Sequence, residues 1–145
     1  MHWMREALRE AGEAFARHEI PVGAVVVLGD ECIGRGHDAR EETCDPTAHA
    51  EIIALREAAR AIGDWRLEGA DLYVTLEPCP MCAGALILSR IRRLVYGAPN
   101  HKSGAVAARC RLLDIPDFNH RVEVVAGILD EECASLLSRF FTRHR

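Results

Sequence analysis

Lysine is almost missing from this chain: Lys102 is the only one among 18 basic residues, and the others are arginine. That bias carries no functional weight by itself, but the other scarcities exclude whole classes. No apolar run approaches the roughly 20 residues that span a bilayer, so a membrane helix is excluded. The opening Met1-His2-Trp3-Met4-Arg5-Glu6 has neither the apolar core nor the cleavage site of a secretory signal, which makes the cytoplasm the expected location. Positive charge is not in excess: acidic residues number 22 and the net charge is -4, so a polyanion would have to meet a local basic patch. Linkers, repeats and low-complexity tracts are absent, and 145 residues suit one domain over 1–145 with a closed hydrophobic core. Six cysteines without an export signal argue for reduced thiols or metal ligation rather than a disulfide framework.

What is present alternates between the two periodicities. Met4, Leu8, Ala11 and Phe15 recur at helical spacing and predict a first helix over 3–17, stopped at Ile20-Pro21. Val22 to Leu28 reads as a strand, with Gly29-Asp30 turning it into a second over 31–36. Residues 37–47 are polar and read as a loop. A helix follows from Ala48 to Gly63, with Ile52, Leu55, Ala59 and Ile62 as its expected buried stripe. Strands over 72–76, 93–96 and 122–126 and helices over 80–89, 106–113 and 130–142 complete the reading. Such alternation implies a layered α/β domain, with one mixed five-stranded sheet covered by helices on both faces.

The strongest local signal is Pro78-Cys79-Pro80-Met81-Cys82, directly after a strand. Two thiols three residues apart at a helix start can point at one ion, and the helix dipole there favours the thiolates that bind metal. Redox dithiols share this spacing, but His49-Ala50-Glu51 opens another helix upstream and supplies a third ligand type. Zinc on His49, Cys79 and Cys82 would keep a fourth position for water, as catalytic sites do. Hydrolysis would then need a proton carrier, and Glu51 is the candidate. Residues two apart do not share a helix face, so His49 and Glu51 can serve one site only at a helix end. A different reading makes Cys44 a fourth ligand, which would close the site and make the zinc structural. Cys32, Cys110 and Cys133 read as core residues.

The pair His49-Ala50-Glu51 and Pro78-Cys79-Pro80-Met81-Cys82 matches the H-x-E…P-C-x-x-C pattern of zinc nucleobase deaminases. The longer segments Asp45 to Ile52, Thr75 to Ala85, Ile20 to Val25 and Asn119 to Glu123 resemble bacterial tRNA adenosine deaminases, in order and nearly end to end. The resemblance implies a cytidine-deaminase-like three-layer α/β/α fold, one Zn2+ per chain, a homodimer, and conversion of the first anticodon adenosine of tRNA to inosine. It implies that His49, Cys79 and Cys82 hold zinc and that Glu51 shuttles protons. It also implies contacts to the tRNA anticodon stem-loop from Val22, Asp38, Asn100, Lys102, Phe141, Arg143 and Arg145. Arginines at the end of a helix that opens with Asp130, Glu131 and Glu132 equally suit the helix dipole, whatever the function.

One position departs from the family, which usually has asparagine where this chain has Asp38. An amide both donates and accepts; a carboxylate only accepts, and adenine N7 is itself an acceptor. Asp38 is therefore expected to be protonated, to turn toward Arg35 or Arg40, or to face a different base such as cytosine or guanine.

Overall fold

The computed structural model describes residues 1–144. Five strands form one sheet in the order β2-β1-β3-β4-β5: β1 (Gly23–Leu28), β2 (Glu31–His37), β3 (Ala70–Leu76), β4 (Arg93–Ala98) and β5 (Glu123–Val125). The two hairpin strands are antiparallel to each other and β1 is antiparallel to β3, while β3, β4 and β5 run parallel. Helices α1 (His2–Ala16) and α5 (Asp130–Arg143) cover one face. The helices α3 (Ala50–Ile62) and α4 (Pro80–Leu88) cover the other. The expected α/β/α layering and mixed five-stranded sheet are therefore what the chain adopts.

Alternation along the strands produces the two cores. Leu72, Val74, Leu94 and Tyr96 point to α3 and α4 with Leu86 and Ile87, whereas Tyr73 and Val95 point to α1 and α5 with Met4, Ala7 and Cys133. Leu72, Leu86, Ile91 and Leu94 are fully buried, and truncating any one of them to alanine should cost about 2–5 kcal/mol.

Both large helices sit unusually close to the sheet. A Cβ on Gly23 would lie 2.1 Å from Ala7 O in α1, and one on Gly34 would lie 2.3 Å from Ala54 O in α3. This explains why the buried stripe of α3 agrees with the expected one only at Leu55. The glycine floor admits Ala50, Ala54 and Ala58, while Ile52 and Ala59 stay half-buried and Ile62 is exposed. In α1 the same effect buries Met4, Ala7, Ala11 and Ala14, leaving Leu8 and Phe15 at the edge.

Two other expectations change. The 37–47 segment contains a short helix, α2 (Arg40–Thr43), because the buried Glu19 carboxylate accepts the N–H groups of Glu41 and Glu42 at its start. The helix expected over 106–113 reduces to a 3₁₀ turn at Leu112–Asp114. The N–H groups of Val106, Ala107 and Ala108 converge instead on Glu77. Cys133 is buried as expected and Cys32 partly so, but Cys110 is exposed and belongs to no core. Among the described residues no helix is long and apolar enough to cross a membrane.

Candidate active site

Two helix N-termini meet beyond the end of β3. His49 is the N-cap of α3, with extended backbone (φ -77°, ψ 153°), and Glu51 lies in the first turn. Cys79 is the N-cap of α4, Pro80 starts that helix, and Cys82 occupies its first turn. His49 and Glu51 thus share one site because a helix end lies between them, as their spacing requires.

His49 Nδ1 lies 3.6 Å from Cys79 Sγ and 3.5 Å from Cys82 Sγ, and the three ligand atoms lie within 4.8 Å of one another. Tetrahedral bonds of about 2.05 Å to nitrogen and 2.3 Å to sulfur would put those atoms about 3.6 Å apart. The residues present therefore fit a metal ion. Cys44 is exposed, with its thiol directed at Glu41 O, and does not belong to the group that converges among the described residues. A closed site completed by Cys44 is thus not what the fold builds.

The electrostatics suit a cation. The hydrogen bond from Cys82, followed by contact with His49, pulls the Cys79 thiol down to about 4. Cys82 keeps the proton of the pair and is pushed up, by that same bond and by burial. The Cys79 contact raises His49. Burial pushes the Glu51 carboxyl up to about 7, and its side chain is 4% exposed.

A cleft of about 460 Å³ opens on this group. Val22, Asp38, His49, Glu51, Cys79, Asn100, Lys102 and Phe141 all line it, so most of the contacts expected from the sequence converge. Arg143 lies elsewhere, over the Phe15 ring at 5.5 Å, and Arg145 falls outside the described residues.

Asp38 is turned toward Arg40. Its Oδ1 accepts the Arg40 backbone N–H at 3.1 Å, and both oxygens accept Arg40 Nε at 3.2 Å. Arg35 is not available to it, being held by Glu6 and Glu10 at 3.0 Å each. Asn100 lines the cleft, but its amide is already engaged: Oδ1 accepts Lys102 and Ser103 N–H, and Nδ2 donates to Glu77 O and Ser103 Oγ.

Two buried acids were not singled out in the sequence: Glu77, which lines the cleft, and Glu19, which lines a neighbouring hollow; they are 1% and 2% exposed. Burial pushes Glu77 up, but its four backbone N–H donors prevail and hold the carboxyl below the usual range. The available signal was an acid wedged between an apolar strand and Pro78.

Comparison with known proteins agrees with this geometry. The chain matches the MafB19-like deaminase family over residues 1–145. It is 50% identical over 143 residues to the tRNA-specific adenosine deaminase of Bacillus subtilis, covering 99% of this chain and 89% of that one. The tRNA-specific adenosine deaminase of Haemophilus influenzae is 52% identical over 143 residues, covering 98% and 83%. A solved structure from work on A-to-I editing by tRNA:A34 deaminases at the wobble position of transfer RNA superposes with a TM-score of 0.91 at 48% identity, covering 94% of this chain and 99% of that chain. A guanine deaminase from Nitrosomonas europaea superposes less closely, with a TM-score of 0.81 at 25% identity over 97% and 83% of the two chains.

Proposed function

Because the chain belongs to the tRNA-specific adenosine deaminase family, we propose that it hydrolyses the first anticodon adenosine of a tRNA to inosine. The observation that carries this reading is one cleft in which a His–Cys–Cys group able to hold a metal ion lies beside a buried Glu51. That ion would be zinc, one per chain, with His49 and the thiolates of Cys79 and Cys82 to hold it. A bound zinc supplies Lewis acidity and activates water at neutral pH.

The protein's own residues do the rest. Glu51, desolvated and poised near neutrality, takes a proton from the attacking water as C6 of the base becomes tetrahedral. It gives that proton to ring N1, then takes a second one from the new C6 hydroxyl and passes it to the amine, which leaves as ammonia as the C6 carbonyl forms. Val22 and Phe141 supply apolar walls for the extruded base, and Lys102, exposed at the rim, meets the phosphate backbone. Arg143, at the end of the last helix, extends the positive charge toward the stem. Asp38 does not argue for guanine or cytosine, since its acceptor capacity is spent on Arg40.

The active form is a homodimer. Helix α4 (Pro80-Met81-Cys82-Ala83-Gly84-Ala85-Leu86-Ile87-Leu88) is apolar on nearly every side, which is the pattern of a helix buried all round. Yet Leu88 is 70% exposed, and Trp65, which lines the same surface hollow, is 54% exposed. A second copy covering this face would complete the burial. A tRNA substrate sets the work in the cytoplasm.

Incubation of the zinc-loaded protein with an anticodon stem-loop carrying adenosine at its first anticodon position should yield inosine. No inosine with zinc bound would overturn the reading; free adenine, guanine and cytosine serve as competing substrates in the same assay.

A further inference from the structure

Glu77 is the least exposed acid among the described residues, and the deamination reaction gives it no task. Its carboxylate accepts four backbone N–H groups from a single loop. Oε1 takes Asn100 at 3.1 Å, and Oε2 takes Val106, Ala107 and Ala108 at 3.0, 2.8 and 3.0 Å. One buried anion thus draws together both ends of the loop, which closes around it. The loop admits no side chain at its nearest point, since a Cβ on Gly104 would lie 2.5 Å from Glu77 Cδ and Oε2. Main-chain bonds tie the same loop to the segment carrying Cys79: Ala105 N–H donates to Pro78 O at 2.9 Å, and Glu77 N–H donates to Ala98 O at 2.9 Å.

The outer side of this loop is a large part of the cleft wall, formed by Asn100, His101, Lys102 and Ser103. Residues 101–103 are exposed, so packing does little to shape them. Their conformation rests on the Asn100 amide and, beneath it, on the Glu77 charge.

We propose that Glu77 is a positioning residue for substrate binding. Its carboxylate holds the 100–103 loop in the shape that receives the nucleotide, and fixes that loop relative to the Cys79 segment. This rests on the deaminase reading above. Glu77 lines the cleft, but its carboxylate oxygens are engaged by the loop N–H groups and not by the metal-binding side chains, so its loss should weaken binding rather than chemistry.

Glu77→Gln keeps the size but replaces one acceptor oxygen with an N–H₂ donor, which then faces backbone N–H groups at one end of the loop. The KM for the adenosine stem-loop should rise about tenfold, with kcat changed by less than about twofold and zinc content unchanged. Hydrogen exchange at Asn100, Val106, Ala107 and Ala108 should accelerate while the amides of β3 stay protected. Gly104→Ala drives a methyl group at the same carboxylate, and should give the same pattern. The double variant should be no worse than the worse single one. Unchanged KM and unchanged loop exchange, or a loss confined to kcat or zinc content, would overturn the proposal. Should Glu77→Gln fail to fold, Gly104→Ala decides by the same readouts. Lack of inosine with the unmodified protein would count against the deaminase reading, while loop exchange would still judge the clamp.

Discussion

A methyl group added at Gly36 would meet Ala50 O at 2.7 Å, Ile53 Cβ at 2.8 Å and Ala54 N at 2.9 Å, all in the opening turns of α3. Ordinary contact begins at 3.4 Å, so Gly36→Ala pushes this end of the helix outward by the shortfall, 0.5 to 0.7 Å. Further along, α3 is pinned where Gly34 lies beneath Ala54 O and Ala58 N. The helix therefore pivots, and the displacement is greatest at His49. Overpacking of this kind costs about 1–3 kcal/mol. In a chain of this size that lowers Tm by about 3–10 °C. The larger effect falls on the metal, because a ligand set tolerates only about 0.5 Å of misplacement. Zinc affinity should drop by about 10- to 100-fold, the usual effect of disturbing what orients a ligand. Competition against a chromophoric chelator measures that affinity, and melting of the zinc-free protein measures the fold separately. Gly12→Ala is the control: a Cβ there meets nothing within 4 Å, and alanine within α1 should raise stability by up to about 1 kcal/mol. Unaltered zinc affinity in a Gly36→Ala protein that melts lower would refute the reasoning, since His49 would then be held by something other than the seat of α3 on β2.

Three further outcomes follow from the site. Glu51→Gln should retain zinc and lower kcat by about 10²- to 10⁴-fold, as loss of a proton carrier does; a kcat within tenfold of the parent would remove Glu51 from that role. Asp38→Asn should cost only about 1 kcal/mol of stability, because Arg40 is partly exposed and can turn to water. It should raise adenosine kcat/KM by less than about tenfold, as the new amide can donate to N7; a fall instead would show that the Asp38–Arg40 pair itself reads the base. After zinc is removed by chelation, iodoacetamide should modify Cys79 in preference to the buried Cys82 and Cys133. With the thiol held down to about 4, that rate should persist well below neutral pH, whereas an ordinary thiol loses it about tenfold per pH unit; peptide mapping at pH 5 and pH 8 distinguishes the two.

The residues that bind metal could be read from the sequence because their chemistry is local. A CxxC after a strand and a histidine at a helix start place ligands through caps, which depend on a few neighbouring residues. The layering could be read too, since Leu72 and Val74 opposite Tyr73 reflect a period of two. The buried face of α3 could be read only at Leu55, because hydrophobicity also favoured Ile52 and Ile62 whereas steric room chose Ala50, Ala54 and Ala58. That room is set by Gly34 and Gly36, on a strand paired elsewhere in the chain. The 106–113 helix failed for a related reason: its N–H groups are taken by an acid 29 to 31 residues away, and no local propensity encodes that. Asp38 could be recognised as a departure, but its choice of Arg40 over Arg35 required knowing that Glu6 and Glu10 had already claimed the latter.

The near-absence of lysine has a practical consequence. Lys102 is exposed on the loop that forms the cleft wall, so an amine-reactive reagent finds, apart from the α-amine, a single target at the mouth of the site. A fluorophore coupled there would report occupancy directly. Protection of Lys102 from acylation would footprint an incoming nucleic acid without any engineered handle. A crosslinker anchored at the same amine would capture whichever RNA enters, so its natural substrate could be identified from cell extract by sequencing.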